Sequence, residues 1–119
     1  MAKISIVIAE GKGILDKEVL WLLVNEDVSL ESYMVCDSTY TDPTHISNKL
    51  RHVYWLPNGT AKKGDYIALY TKIGQNNTAE NTKGSKTHRM YWGLKETVWN
   101  KDGDCAVLFP VAGWTTAKV

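Results

Sequence analysis

Short apolar segments of strand length, separated by turn residues, occupy the first third of the chain. Residues 3–9 are rich in Ile and Val and contain neither Gly nor Pro, which is typical of a buried strand. Residues 19–24 form a continuous apolar run, and residues 28–36 alternate with a change of phase near Ser32, which indicates a bulge. A helix over residues 15–24 is the competing interpretation, but neither a cap nor a 3.6-residue stripe supports it strongly. We therefore expect strands.

The rest of the chain continues in the same way. Residues 57–60, PNGT, and residues 62–65, KKGD, are turn signals. Short strands with turns about every 8 to 12 residues, and no convincing helix, predict an all-β sandwich of about 7 to 9 strands. The further predicted strands are residues 49–56, 66–70, 90–92, 96–99, 104–109 and, as a closing edge, 114–119.

One polar segment interrupts this pattern. Residues 74–87 contain no apolar residue except Ala79. Connections of this length are uncommon in compact domains, and long loops often carry function. We therefore predict a mobile loop here and regard it as a candidate binding element.

Composition and charge limit the function classes. A chain of 119 residues can bury one core, so a single domain over residues 1–119 is expected. The net charge of +1 conceals an asymmetry: residues 1–41 have three Lys against seven Asp and Glu, whereas residues 42–101 have ten Lys and Arg against four Asp and Glu. The five Trp and six Tyr outnumber the single Phe, which suggests aromatic side chains on a recognition face.

The basic middle region, residues 62–101, can be interpreted in two ways. Its cations and nearby aromatic rings could hold a phosphate backbone and stack bases. Alternatively, the lysines keep edge strands and a loop soluble. The candidate contacts to a protein or nucleic-acid partner are Lys72, Lys83, Lys86, Arg89, Tyr91, Trp92 and Lys95.

No known catalytic or metal-binding motif is present. The three histidines, His45, His52 and His88, are not spaced as metal ligands, and there is no nucleophile elbow, phosphate-binding loop or dinucleotide fingerprint. Cys36 and Cys105 lie in apolar segments, so we expect buried free thiols, with a disulfide between them as the alternative. We expect no enzymatic activity, no metal and no cofactor.

Signals for export are also missing from the sequence. The apolar run at residues 4–9 is too short for a secretory segment and lacks a cleavage site. The run at residues 19–24 is far below the length of a membrane helix. The expected location is cytoplasmic.

Three stretches resemble the lamin tail domain family. Residues 18–37 are similar to the family's opening pair of strands, in which an acidic residue precedes an apolar strand. Residues 51–74 are similar to the proline turn and following strand of bacterial members. The most specific stretch is residues 90–109, in which Trp99, Asn100, Gly103 and Asp104 match a Trp-Asn-x-x-Gly-Asp turn signature. The resemblance implies an immunoglobulin-like sandwich, here a stand-alone bacterial member, of a kind that docks onto proteins, chromatin or DNA.

The turn signature also has a plain physical explanation. Gly103 can adopt a positive φ, and Asp104 can cap backbone N–H groups of the turn. Among the aromatic residues, we expect Trp21, Tyr66 and Trp99 to fill the sandwich. Trp55, Trp92 and Trp114 are the candidates for surface exposure.

Three functions follow as hypotheses. The first is a non-catalytic module that binds a protein partner through a sandwich face, an edge or residues 74–87. The second is a nucleic-acid-binding module that uses residues 62–101. The third is a self-assembling subunit that pairs through an edge near Trp114.

Overall fold

The computed structural model describes residues 3–99 and 103–119. In that part of the chain there are eleven strands and one 3-10 turn, Leu30–Ser32. The predicted all-β sandwich is confirmed, with eleven strands among the described residues in place of the expected number of about 7 to 9. The strands are β1 (Ile4–Glu10), β2 (Val19–Val24), β3 (Val28–Ser29), β4 (Tyr33–Asp42), β5 (His45–Ile46), β6 (Val53–Trp55), β7 (Thr60–Ala61), β8 (Tyr66–Tyr70), β9 (Asn77–Glu80), β10 (Lys86–Tyr91) and β11 (Asp104–Pro110).

The larger sheet has five strands in the order β1-β2-β8-β10-β9. β1, β2 and β8 are antiparallel neighbours, whereas β8 and β10 run parallel. Parallel neighbours need a crossover connection, and here that connection contains β9, which pairs antiparallel with the far side of β10. The sheet therefore has β1 at one edge and β9 at the other.

The second sheet is built on β4. This strand pairs with β11 on one side and with β5 and β6 on the other. β3 and β7 form a separate short ladder.

The core lies between the two sheets. Alternate residues of β2, β8 and β10 point inward. Residues that lie directly opposite each other on neighbouring strands share a face of the sheet, so the inward residues of the three strands form one surface. Residues of β4, β6 and β11 meet them from the second sheet. The burial of these apolar side chains supplies most of the stabilising free energy. The largest fully buried apolar residues are Ile4, Leu20, Leu22, Val24, Val35, Leu56, Ile67 and Leu69.

Residues 74–87 are not the loop that their composition predicts. They contain β9 and the beginning of β10, joined by a turn in which Asn81 Oδ1 accepts hydrogen bonds from the backbone N–H groups of Lys83 and Ser85. β9 is an edge strand whose side chains are largely exposed, so it has no apolar alternation. Its strand structure comes from backbone pairing with β10, which a hydropathy pattern does not reveal.

Other expected elements are also corrected. Residues 96–99 and 114–119 contain no strand, and within residues 49–56 only β6 is a strand. The apolar side chains of residues 96–99 serve the core instead, since Val98 and Trp99 are buried there. The helix alternative is wrong, because β2 is a strand paired on both sides.

The change of phase near Ser32 has a different cause from the one expected. It is the 3-10 turn between β3 and β4. A bulge does occur in the larger sheet, where the register of β1 against β2 shifts between Ile6 and Ile8.

Candidate interaction face

The outer side of the five-stranded sheet carries one continuous row of side chains across all five strands. Ile8 on β1 lies opposite Trp21 on β2, which lies opposite Ala68 on β8. Ala68 in turn lies opposite Arg89 on β10, and Arg89 opposite Asn77 on β9. Directly opposed residues share a face of a sheet, so these side chains all point away from the core.

Four half-buried aromatic rings lie on this surface: Trp21 of the row, and Tyr66, Tyr70 and Tyr91 beside it. The rings of Trp21 and Tyr66 meet edge to face, with centroids 6.4 Å apart and an interplanar angle of 82°. Tyr70 and Tyr91 are stacked, with centroids 5.1 Å apart and an angle of 15°. Both arrangements suit the quadrupoles of aromatic rings. The rings therefore hold one another in fixed orientations on the sheet surface.

The segment after β8 helps to fix the stacked pair. Gly74 lies against the ring of Tyr91 so closely that a Cβ at this position would overlap the ring carbons. Asn76 Oδ1 accepts a hydrogen bond of 3.0 Å from the backbone N–H of Tyr91. Glycine is therefore required at position 74 because the backbone lies against the Tyr91 ring, and not because the chain turns there.

Three cations lie on the same surface. Lys72 Nζ is 5.7 Å from the centroid of the Tyr70 ring. Lys83 Nζ is 4.9 Å from the centroid of the Tyr66 ring and donates a hydrogen bond of 3.1 Å to Tyr66 Oη. The Arg89 guanidinium donates to Asn77 Oδ1 at 3.0 Å. Cations at such distances are attracted by the ring faces.

We call this surface the aromatic face. An acidic group also contributes to it, because Trp21 Nε1 donates a hydrogen bond of 2.8 Å to Glu10 Oε1. Beside Trp21 there is a depression of about 330 Å³, lined in part by Ile8, Tyr66 and Lys83. The aromatic face consists of Trp21, Tyr66, Tyr70, Tyr91, Lys72, Lys83 and Arg89.

Four of the seven candidate contact residues named from the sequence lie on this face, and three do not. Lys86 is opposite Glu80 and alternates with the outward-facing Thr87, so it points to the other side of β10. Trp92 packs against Tyr54 and Trp99 at the edge of the core. Lys95 is exposed in the connection between β10 and β11. The four on the face are Lys72, Lys83, Arg89 and Tyr91.

The expected locations of the tryptophans and Tyr66 need two corrections. Trp92, a candidate for surface exposure, is half-buried and packs against the core. Trp99 is buried as expected, but Trp21 and Tyr66 do not fill the sandwich, since they lie on the outer side of the larger sheet. Trp55 and Trp114 are exposed, and their rings form an edge-to-face pair with centroids 4.8 Å apart. Every residue of β2 is apolar, and the sequence of such a strand does not indicate which of its two sides faces the core.

The turn signature is only partly described. Gly103 has a φ of +87°, as its role in a turn requires. Asp104 forms an ion pair with Arg51, with 3.3 Å between Oδ1 and Nη2. The expected capping role of Asp104 stays a prediction, and Asn100 lies outside the described residues.

A polar groove of about 870 Å³ lies on the inner side of the β9–β10 hairpin. At its base, His88 Nε2 is 2.9 Å from Asp65 Oδ2, and both residues are buried. Asp65 also accepts hydrogen bonds from the backbone N–H groups of Lys62 and Lys86. Burial raises the pKa of Asp65, but the hydrogen bonds from His88 and the two backbone groups outweigh it, so the pKa lies below its ordinary value of 3.8. The pair of His88 and Asp65 therefore links β10 to the turn before β8.

The other histidines each have an aspartate partner as well. His45 Nδ1 is 2.9 Å from Asp42 Oδ1, and His52 Nδ1 is 3.1 Å from Asp37 Oδ1. Within residues 3–99 and 103–119, no three His, Cys, Asp or Glu side chains are grouped as metal ligands would be.

Both cysteines are free thiols in the structure. Burial raises the pKa of Cys36 and of Cys105. A raised pKa favours the protonated thiol, which is a poor nucleophile. Neither cysteine therefore has the environment of an activated thiol.

The sequence matches no protein-family model, and no curated protein matches it significantly. Among the helices of the described residues, none has the length and apolar character to cross a membrane. The aromatic face is therefore interpreted from its own geometry.

Proposed function

We propose that the protein is a non-catalytic interaction module that binds a protein partner through the aromatic face. The observation that carries this proposal is the cluster of four half-buried rings on the side of the larger sheet that faces away from the core. The rings belong to paired strands, so little conformational entropy is lost when a partner binds.

The composition of this face supports a protein partner. Tyr, Trp and Arg are the residue types enriched at the centres of protein interfaces, where a few of them contribute most of the binding free energy. Trp21 and Arg89 lie in one row at the middle of the face. The resemblance to lamin tail domains, which dock onto other macromolecules, supports the same function and is itself part of the proposal.

Replacing Trp21 with alanine is expected to weaken partner binding at least about tenfold, because a central aromatic contact is removed. Affinity capture with tagged protein, followed by titration of the recovered partner, measures this loss. Trp55→Ala is the matched control, since Trp55 is an exposed tryptophan on the second sheet. Equal binding by wild type and Trp21→Ala, with weaker binding by Trp55→Ala, would contradict the proposal.

Single-stranded nucleic acid is the second candidate partner, because Lys72, Lys83 and Arg89 lie beside rings on which bases can stack. Fluorescence anisotropy with a labelled oligonucleotide should then show affinity that falls steeply with salt. Lys83→Ala and Arg89→Ala should each weaken binding and reduce the salt slope by roughly one. Lys86→Ala is the control, because Lys86 points to the other side of β10. No binding at low salt would exclude this candidate.

A further inference from the structure

The β1 strand is an exposed and mostly apolar sheet edge. Among the strands that the structure describes, it pairs only with β2. No charged residue interrupts it between Lys3 and Glu10, and Ile6, Val7 and Ile8 are 38%, 52% and 53% exposed. Exposed edges with this composition invite pairing with another strand, and monomeric proteins usually place charges or prolines there.

The opposite edge of the same sheet shows the contrast. β9 is four residues long and carries Asn77, Thr78 and Glu80. A short polar strand of this kind is protected from pairing with other chains. The two edges therefore differ in chemistry, and only β1 has the apolar composition of an interface.

Apolar side chains of β1 are exposed on both faces of the sheet. On the inner side, a groove of about 380 Å³ between β1 and β11 is lined in part by Ile6, Tyr40, Ile46 and Val107. On the outer side, the depression beside Trp21 is lined in part by Val7 and Ile8. Successive side chains of a strand point to opposite faces. A strand added to the free edge of β1 would therefore place alternate side chains in the inner groove and against Val7 and Ile8 on the outer side, as in other cases of strand addition.

We propose that the strand added to β1 is the β1 strand of a second copy, so that two sheets join into one of ten strands. Antiparallel pairing of two β1 strands brings Lys3 of each copy close to Glu10 of the other, which gives charge complementarity at both ends. The apolar residues of each strand supply the alternate side chains that fill the inner groove and cover Val7 and Ile8. The bulge between Ile6 and Ile8 then lies at the twofold axis, and each half of the strand pairs regularly with the opposite half of its partner.

This arrangement has a consequence for binding. A twofold axis perpendicular to the sheet keeps the outer sides of both copies on the same side of the joined sheet. The dimer would thus present two aromatic faces together, which increases avidity for a partner with repeated sites. This consequence rests on the proposed function, whereas the dimer itself does not.

Sedimentation equilibrium of the whole chain tests the dimer. Wild type is expected to show a reversible monomer–dimer equilibrium at concentrations up to about 1 mM, and Ile8→Lys is expected to raise the dissociation constant by about tenfold or more. Ile73→Lys is the matched control, because Ile73 is an equally bulky residue, 66% exposed, that lies outside β1. Circular dichroism verifies that both variants are folded.

A charge exchange tests the register. Lys3→Glu and Glu10→Lys should each weaken the dimer, and the double variant should restore most of the lost affinity, because the opposite charges meet again with reversed signs; the hydrogen bond from Trp21 Nε1 to Glu10 stays absent in both Glu10 variants. A wild type that stays monomeric throughout the concentration range would overturn the proposal. So would a dimer that is weakened equally by Ile73→Lys, or single charge variants that are not rescued by the double variant. None of these results decides the aromatic-face proposal, which is tested separately with Trp21→Ala.

Discussion

Replacing Glu18 with alanine is expected to lower the free energy of unfolding by roughly 3 to 5 kcal/mol. Glu18 is fully buried immediately before β2. Its Oε1 accepts hydrogen bonds from Thr71 Oγ1 at 2.7 Å and from the backbone N–H of Val98 at 2.6 Å. Its Oε2 accepts a bond of 3.2 Å from the backbone N–H of Gly13. Alanine would leave three donors without this acceptor and a cavity in the core.

Chemical denaturation measures the loss. Glu18→Gln is the second variant, because it keeps the volume but turns an amide group toward the donors, and an intermediate loss is expected. Glu26→Ala removes an exposed glutamate as the control and should change stability by less than about 0.5 kcal/mol. If Glu18→Gln is as stable as wild type, the hydrogen bonds that the Glu18 carboxylate accepts from Gly13, Thr71 and Val98 do not stabilise the fold as described.

Acid is expected to destabilise the protein through Asp65. Because the pKa of this buried carboxyl lies below its ordinary value of 3.8 in the folded state, its ionised form stabilises the fold above that value. The stabilisation is lost as the pH falls through the folded pKa, since the proton then binds the folded state as well. Below about pH 4 the free energy of unfolding should therefore decrease.

The variant Asp65→Asn isolates this contribution. It should be less stable than wild type by about 2 kcal/mol at pH 7, because His88 and two backbone N–H groups lose a charged acceptor. Its stability should fall less than that of wild type between about pH 5 and pH 3. Asp16→Asn, at an exposed aspartate, is the control. Parallel pH profiles for wild type and Asp65→Asn would refute the assignment.

The hydropathy pattern predicts the strands that have an apolar side. The bounds of β1, β2, β8 and β11 lie within about two residues of the predicted ones. The hydropathy pattern does not predict edge strand β9, because this strand pairs through its backbone groups and its side chains are mostly exposed. Residues 96–99 are the opposite case, because the pattern predicts a strand where there is none. Their apolar side chains are buried by tertiary packing, without pairing to another strand.

The site is less visible in the sequence than the fold. Tyr66 and Tyr70 are four residues apart, so a strand places both on one side. Which side faces outward depends on the register of β2, β8 and β10, and the parallel pairing of β8 with β10 is not encoded in any local pattern. For the same reason, Lys86 and Arg89 can be named from charge alone but not assigned to opposite sides of β10.

The indole N–H signals of the five tryptophans offer the most direct test of the central claim, that a partner binds the aromatic face. Trp21 belongs to that face, whereas Trp55 lies on the other sheet and its ring packs against that of Trp114. A titration of ¹⁵N-labelled protein with the captured partner, or with the oligonucleotide, should shift or broaden the Trp21 signal and leave those of Trp55 and Trp114 unchanged. Changes confined to Trp55 and Trp114, with an unchanged Trp21 signal, would contradict the claim.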